Sequence, residues 1–380
     1  MKALILSCNT GGGHNSAGMA MKERIEAEGG EACFFDYLTL AGGKVSKAVG
    51  DGYVKLVKRT PLIFGLVYKL GALISKITKR SPVYYVNGMM AKYLKKFLEQ
   101  NDFDVIIMPH LYPAETITYM RRRGMELPLT VAIGTDYTCI PFWEETECDY
   151  YMIPHEELLD EFAKGKIEKQ QLFPSGIPVS LAYNRKMEKA KAREEMSRLL
   201  TKEFGTDERI SLVIGGSMGA GKLKNLARLL FFLQKRRDRL LVICGSNERM
   251  RRNLEHIFRK QEMVTIVGRT EHMPVFMKAA DVVYTKPGGL TSTEAAVTGI
   301  PLVMTSPIPG CETVNRRFFR KHGMCVSGRN IYAQAAAGIR ILNNPGMAEK
   351  MIHNQHTVIA QDASYRIYQF IEEKLSNRQM

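Results

Sequence analysis

Two glycine-rich loops, each leaving an apolar run and entering a helix, constrain this chain more than any other feature. Lys2–Ser7 (KALILS) reads as a buried strand; Gly11-Gly12-Gly13-His14 follows it, and a helix runs from about Ser16 to Glu28. The same grammar restarts in the second half, where Ile210–Ile214 is a strand, Gly215–Gly221 a glycine loop and Leu223–Lys235 a helix. Cys33–Tyr37, Val105–Pro109 and Leu129–Thr135 read as further strands of the first half. Leu240–Cys244, Val264–Val267, Val282–Tyr284 and Leu302–Thr305 do so in the second. Strands that alternate with helices need crossover connections, so each half is expected to form a parallel sheet. The expected fold class is α/β, with two Rossmann-like, doubly wound domains facing across a cleft. Pro174-Ser175-Gly176-Ile177-Pro178 reads as a hinge, trailed by a charged helix over Asn184–Leu200. These signals place one domain at 1–178 and the other at 179–361, with a C-terminal helix in 362–380 packing back on the first.

The length of 380 residues leaves room for two cores of this kind, and 24% charged residues are usual for a globular protein. A net charge of +15 predicts attraction to something acidic. The seven cysteines contain no C-x-x-C pair and, with no secretory leader ahead of them, read as reduced thiols of a cytoplasmic protein. No run reaches the roughly 18 apolar residues of a membrane span. No His/Cys/Asp/Glu cluster has metal-ligand spacing, so no metal and no tightly bound cofactor is expected.

The densest chemistry lies in KPGGLTSTEAAVTGIPLVMTSPIPGCETVN, Lys286 to Asn315. Gly288 and Gly289 let backbone approach an anion, and the helix entered at Leu290 and Thr291 aims its N–H groups and positive dipole end there. A nucleotide diphosphate suits that grip. Glu294, on the first turns, would accept from ribose hydroxyls. The turn after Pro307 would present Glu312 and Asn315 to a sugar. An ordinary capped βα turn is the competing reading, but the loop follows an apolar strand, at the sheet edge where α/β proteins hold ligands.

Other glycine turns accompany it. Gly216-Ser-Met-Gly-Ala-Gly221-Lys222 matches the phosphate-loop pattern, yet Leu223 stands where Mg²⁺ chemistry needs Ser or Thr. Gly216 and Ser217 therefore read as donors to a diphosphate without a metal. Gly245, Ser246 and Asn247 form a second turn and Gly268 marks a third. In the first half, Gly12 and Gly13 expose His14, whose imidazole suits a general base; Asp136, at the end of another strand, would orient it. His110 and His155 also follow strands but stand alone.

From Ala41 to Leu98 the chain carries twelve bases and a single acid, Asp51. Lys55, Lys58, Arg59, Lys69 and Lys76 flank Leu62, Leu66 and Leu70, which recur at helical spacing. A basic amphipathic helix suits an anionic membrane surface, with a core-packed helix as the alternative. Nucleic acid is not expected as a partner, because no RNA-binding signature or exposed stacking groups accompany the charge.

Together TGGGHNSA, GTDYTCIPFW, SGIPV, LVIGGSMGAGK and the Lys286–Asn315 segment resemble the monogalactosyldiacylglycerol synthase and processive diacylglycerol glucosyltransferase family. More distantly they resemble the N-acetylglucosaminyltransferase of peptidoglycan lipid synthesis. The resemblance implies the two-domain GT-B glycosyltransferase architecture and metal-independent, inverting hexosyl transfer from UDP-glucose or UDP-galactose to diacylglycerol. It implies a peripheral enzyme of glycolipid biosynthesis on the inner face of the cell membrane. On this resemblance His14 is the base, Lys286, Gly288, Gly289, Thr291 and Glu294 hold the nucleotide, and Glu312 and Asn315 face the sugar. Cys311 stands where some members have Gln, which leaves the donor sugar open. Transfer of N-acetylglucosamine to a polyprenyl-diphosphate lipid and a non-catalytic UDP-sugar sensor are the alternatives.

Overall fold

The computed structural model describes residues 1–8, 12–42, 81–205, 207–215, 223–233 and 238–379. Gly216, Ser217 and the part of the basic segment bearing Lys55, Lys58, Arg59, Leu62, Leu66, Lys69, Leu70 and Lys76 lie outside the described residues. The chain divides into two compact units. The first comprises Met1–Leu181, Pro309–Cys311 and Asp362–Met380; the second comprises Ala182–Ile308 and Glu312–Gln361.

The first unit is built on β1 (Lys2–Ser7), β2 (Glu31–Asp36), β3 (Val105–Met108), β4 (Leu129–Ile133), β5 (Tyr150–Met152) and β6 (Leu172–Phe173), all parallel, in the order β2-β1-β3-β4-β5-β6. Helix α1 (Gly12–Ala27) follows β1, α2 (Pro82–Gly88) and α3 (Ala91–Leu98) precede β3, and α4 (Leu111–Arg121) follows it. Both faces of β1 are covered, which is why KALILS is an uninterrupted apolar run rather than an alternating one. Ala3, Ile5, Val105, Ile107, Val131 and Ile133 meet Met21 and Ile25 of α1 in one core. The approach of α1 to the sheet is close: a Cβ on Gly18 would come within 2.7 Å of the Phe34 ring and 3.3 Å of Pro109. Any larger residue at position 18 would lift α1, and with it the residues at its N-terminus.

In the second unit β7 (Arg209–Ile214), β8 (Asp238–Ile243), β9 (Val264–Val267), β10 (Val282–Thr285), β11 (Leu302–Met304) and β12 (Val326–Ser327) are parallel, in the order β12-β11-β10-β7-β8-β9. Helix α5 (Lys189–Leu200) leads into it, followed by α6 (Leu223–Leu233), α7 (Glu248–Phe258), α8 (Met273–Ala279), α9 (Gly289–Thr298), α10 (Cys311–Lys321), α11 (Ile331–Leu342) and α12 (Pro345–Val358). The final helix, α13 (Ala363–Gln379), packs Ile367 and Ile371 into the core of the first unit. Phe370 stacks on Phe173 there at 4.5 Å, and Arg24 holds Asp362 through two hydrogen bonds of 2.9 and 3.0 Å.

The expected charged helix over 184–200 is in fact broken. A short helix, Leu181–Asn184, ends where Lys278 Nζ donates to the carbonyls of Ala182 (2.6 Å) and Arg185 (2.5 Å), and α5 starts anew at Lys189. Arg193 of α5 is 3% exposed and donates to the carbonyls of Ala279 and Gly205 and to Asp281, so a residue that reads as surface charge is a core tie. Strands β5, β6 and β12 have no counterpart in the sequence reading, because two or three residues carry no periodicity.

Candidate active site

In each sheet the strand order reverses once, between β1 and β3 in the first unit and between β7 and β10 in the second. The carboxyl ends of such strand pairs leave a crevice, the usual ligand position in a doubly wound sheet. Gly12, Gly13 and His14 leave the first switch point, and Lys286 to Thr291 leave the second.

At the first switch point Gly12 and Gly13 are the opening residues of α1, and Ser7 Oγ donates to Asn15 Oδ1 (2.6 Å), fastening that turn to the end of β1. His14 Nδ1 lies 2.9 Å from the Pro109 carbonyl and 3.0 Å from Thr135 Oγ1. A carbonyl oxygen can only accept, so Nδ1 carries the proton and, in the neutral ring, Nε2 carries the lone pair. Burial lowers the His14 pKa below the usual 6.5, against the raising effect of the Pro109 hydrogen bond. The imidazole is thus held neutral, in one tautomer, with Nε2 basic. That is the form a general base requires. Asp136 was the expected partner of the ring; the side chain at Nδ1 is that of Thr135, one residue earlier on the loop after β4.

His110, which looked isolated in sequence, packs edge-on against His14 with ring centroids 4.5 Å apart. It caps α4, its Nδ1 accepting from Tyr112 N at 3.1 Å, so its own proton sits on Nε2. Burial and the neighbouring His14 hold its pKa well below 6.5, which keeps a second positive charge away from the base. His155 instead caps a short turn, accepting from Glu157 N at 3.2 Å.

At the second switch point α9 begins at Gly289 with Gly288 as N-cap and with no side-chain cap. Helical bonding opens with Ser292 N to the Gly288 carbonyl (3.0 Å), so the N–H groups of Gly289, Leu290 and Thr291 form the donor end of the helix. A Cβ on Gly288 would meet nothing within 4 Å, which leaves room for an anion against the backbone. Leu290 contributes through its N–H alone, since its side chain is buried.

Lys286 Nζ donates to Glu312 Oε1 at 2.7 Å, with side chains 14% and 12% exposed, and Glu312 Oε2 accepts from Ile308 N at 2.6 Å. The two sites assigned separately from sequence are therefore one ion pair. Asn315 departs from the sugar-facing role expected of it: it is fully buried and its Nδ2 donates to the Pro287 carbonyl (3.0 Å), bracing the loop from beneath. The Glu312→Ala variant is expected to lose about 2 kcal/mol of stability, measured by urea unfolding, because Lys286 and the Ile308 N–H are left without their partner. Glu312→Gln, which can still accept from Ile308, should recover part of that loss.

Glu294, one turn into α9, hydrogen-bonds Tyr183, and burial pushes its carboxyl up to about 7 despite that bond. Tyr183 belongs to the short Leu181–Asn184 helix and was invisible as a site residue in the sequence. Gly245 takes a left-handed conformation (φ 58°) at the turn after β8, as the sequence suggests, and Ser246 is exposed beside it. Asn247 has a local duty: its side chain caps α7 by accepting from Met250 N at 3.0 Å. Gly268, after β9, packs against the Arg251 side chain.

In the first unit α2 and α3 expose Tyr85, Val86 and Met89 beside Lys92, Lys95 and Lys96, and α2 starts at Ser81, whose N–H donates to buried Glu145 (2.7 Å). This apolar strip lies in the last part of the basic segment, after its undescribed residues. Among the described residues no helix is long and apolar enough to cross a membrane.

Known proteins share both halves. Residues 14–179 match the family described as monogalactosyldiacylglycerol (MGDG) synthase, and residues 202–358 match glycosyl transferases group 1. The processive diacylglycerol beta-glucosyltransferase of Bacillus licheniformis is 26% identical over 327 residues, covering 85% of this chain and 82% of that protein. MurG of Acinetobacter baumannii has the same fold, with a TM-score of 0.59 at 13% identity over 98% of this chain and 99% of its own. So does the UDP-GlcNAc 2-epimerase of Neisseria meningitidis, solved bound to UDP-GlcNAc, with a TM-score of 0.62 at 12% identity over 98% and 100%. Two parallel doubly wound units are the GT-B fold, and this chain is a glycosyltransferase. More particularly, it joins a monogalactosyldiacylglycerol synthase domain to a group 1 glycosyl transferase domain.

Proposed function

We propose that the enzyme transfers glucose or galactose from the UDP-sugar to diacylglycerol, with inversion, at the inner surface of the cell membrane. The observation that carries this reading is His14, kept neutral by burial and with its Nδ1–H donated to the Pro109 carbonyl, so that Nε2 carries the lone pair. Nε2 takes the proton of the acceptor hydroxyl while its oxygen bonds to the anomeric carbon. The bond from that carbon to the diphosphate breaks on the opposite side, and UDP departs with the electron pair. The N–H groups of Gly289, Leu290 and Thr291 and the dipole of α9 stabilise the departing charge, and Ser217 adds a donor. Glu294 accepts from the ribose, and Glu312, set by Lys286, faces the hexose.

What supports the lipid acceptor is the resemblance to diacylglycerol glucosyltransferases together with the exposed Tyr85–Met89 strip beside lysines. The decisive assay incubates the protein with each radiolabelled UDP-sugar and mixed-lipid liposomes and identifies the labelled lipid. Label in a diacylglycerol hexoside is expected. Label in a polyprenyl-diphosphate lipid would replace the acceptor, and UDP-sugar binding without any transfer would make the protein a sensor. Neutralising Lys55, Lys58, Arg59, Lys69 and Lys76 together is expected to weaken sedimentation with anionic liposomes; unchanged sedimentation would return that segment to the core.

A further inference from the structure

The second unit carries a groove on α6, the helix that follows β7 in the chain. It measures ≈ 560 Å³ and runs between the end of α6, the end of α7 and the start of α11. Phe231 and Phe258 form its floor, ring centroids 5.4 Å apart in a T-shape. Phe232 and Tyr332 stand at its rim, 82% and 67% exposed, and Leu233 beside them is 43% exposed. Rings this exposed, clustered on two helices of one unit, mark a surface that something apolar covers. Asn330 caps α11 two residues before Tyr332, accepting from Ala333 N at 3.0 Å.

The charge around the groove is positive. Arg228 lines it, α6 contains Lys224 and Arg228 and no acid, and Arg259 and Lys260 follow α7. Of the acids close in sequence to these elements, Asp238 pairs with Arg209 at 2.7 Å and Glu255 with Arg251 at 2.5 Å, and Glu262 follows the lining residue Gln261. A second copy of this basic chain would bring like charges together on the groove. An anionic surface with an apolar layer beneath it satisfies both the rings and the bases.

We propose that this groove docks the second unit on an anionic phospholipid bilayer, with Phe232 and Tyr332 entering the interfacial layer and Arg228 meeting lipid phosphates. The preference for a bilayer over an acidic protein rests on the lipid acceptor proposed above. It adds a contact on the second unit to the one proposed for the basic segment of the first.

The test introduces Phe232→Trp into the full chain, whose sole native tryptophan, Trp143, is 4% exposed and gives a steady background. Vesicles containing phosphatidylglycerol should shift the added emission to the blue, and brominated acyl chains should quench it. The double variant Phe232→Ser/Tyr332→Ser should partition onto the same vesicles about tenfold less well, with an unchanged melting temperature and unchanged transfer to detergent-dispersed diacylglycerol. Emission that ignores the vesicles overturns the proposal, whether or not the protein co-sediments with them. So does a shift produced by concentrating the protein alone, which would mean a second copy, or by an acidic peptide in place of vesicles. Failure of transfer to every lipid would overturn the proposed reaction while leaving this emission readout to stand or fall by itself.

Discussion

The His14→Ala variant is expected to lose about 10²- to 10⁴-fold of the transfer rate while binding UDP as before. The split follows from where the residue lies. On the mechanism proposed above His14 is the proton acceptor and the diphosphate grip is α9 of the second unit, so loss of the imidazole is expected to remove the acceptor's base and spare UDP binding. Rapid-quench transfer rates and calorimetric titration with UDP measure the two quantities separately. Turnover that survives the substitution would sink the base assignment. The sign of the pH dependence follows from the same geometry. The reactive form is neutral, burial lowers the ring's pKa below 6.5, and the rate should therefore fall with acid only below that value. Thr135→Val should leave the Pro109 bond to select the tautomer, and so cost far less than the alanine at 14.

Donor binding is expected to strengthen about tenfold between pH 6 and pH 8. Glu294 carries this effect, because its carboxyl sits at about 7 and only the ionised form accepts from both ribose hydroxyls. At pH 6 most of it is protonated and at pH 8 most is charged, so binding the donor must expel a proton at the lower pH and need not at the higher. Glu294→Gln should flatten that dependence and lower affinity by about 10- to 100-fold, since a charge-assisted pair of hydrogen bonds is replaced by neutral ones. Tyr183→Phe sharpens the test. The tyrosine hydrogen bond lowers the Glu294 pKa, so its loss should move the midpoint of the binding curve to higher pH. Titration of UDP affinity from pH 6 to 8 checks all three proteins; a flat curve for the unsubstituted enzyme would remove Glu294 from the donor site.

Much of the scaffold was legible because it depends on local pattern. KALILS and RISLVI are apolar on both faces, as central parallel strands must be, and each runs into glycines where the chain turns to a helix. A loop after a strand in such a fold lies at the carboxyl edge of its sheet, so His14 and the Lys286–Thr291 loop could be singled out from spacing. The errors fall where a residue's duty depends on what surrounds it. Asn315, expected to face a sugar, and Arg193, within the expected charged helix, are buried braces, since a polar side chain can be sequestered once its donors find carbonyls. Asn247 read as a ligand contact and caps the helix that follows it.

By itself, then, the amino-acid order determined the two-sheet framework and the glycine-led starts of α1 and α9. These need only hydrophobic periodicity and backbone freedom, which act within a few residues. The tertiary structure alone decided the state of His14. Pro109, 95 residues away, chooses which nitrogen holds the proton, and burial decides that the ring stays neutral. The same holds for Glu294, whose titration is set by Tyr183 and by the packing that shuts out water. Protonation is a balance of desolvation against hydrogen bonds from groups distant in the chain, and no local pattern encodes it.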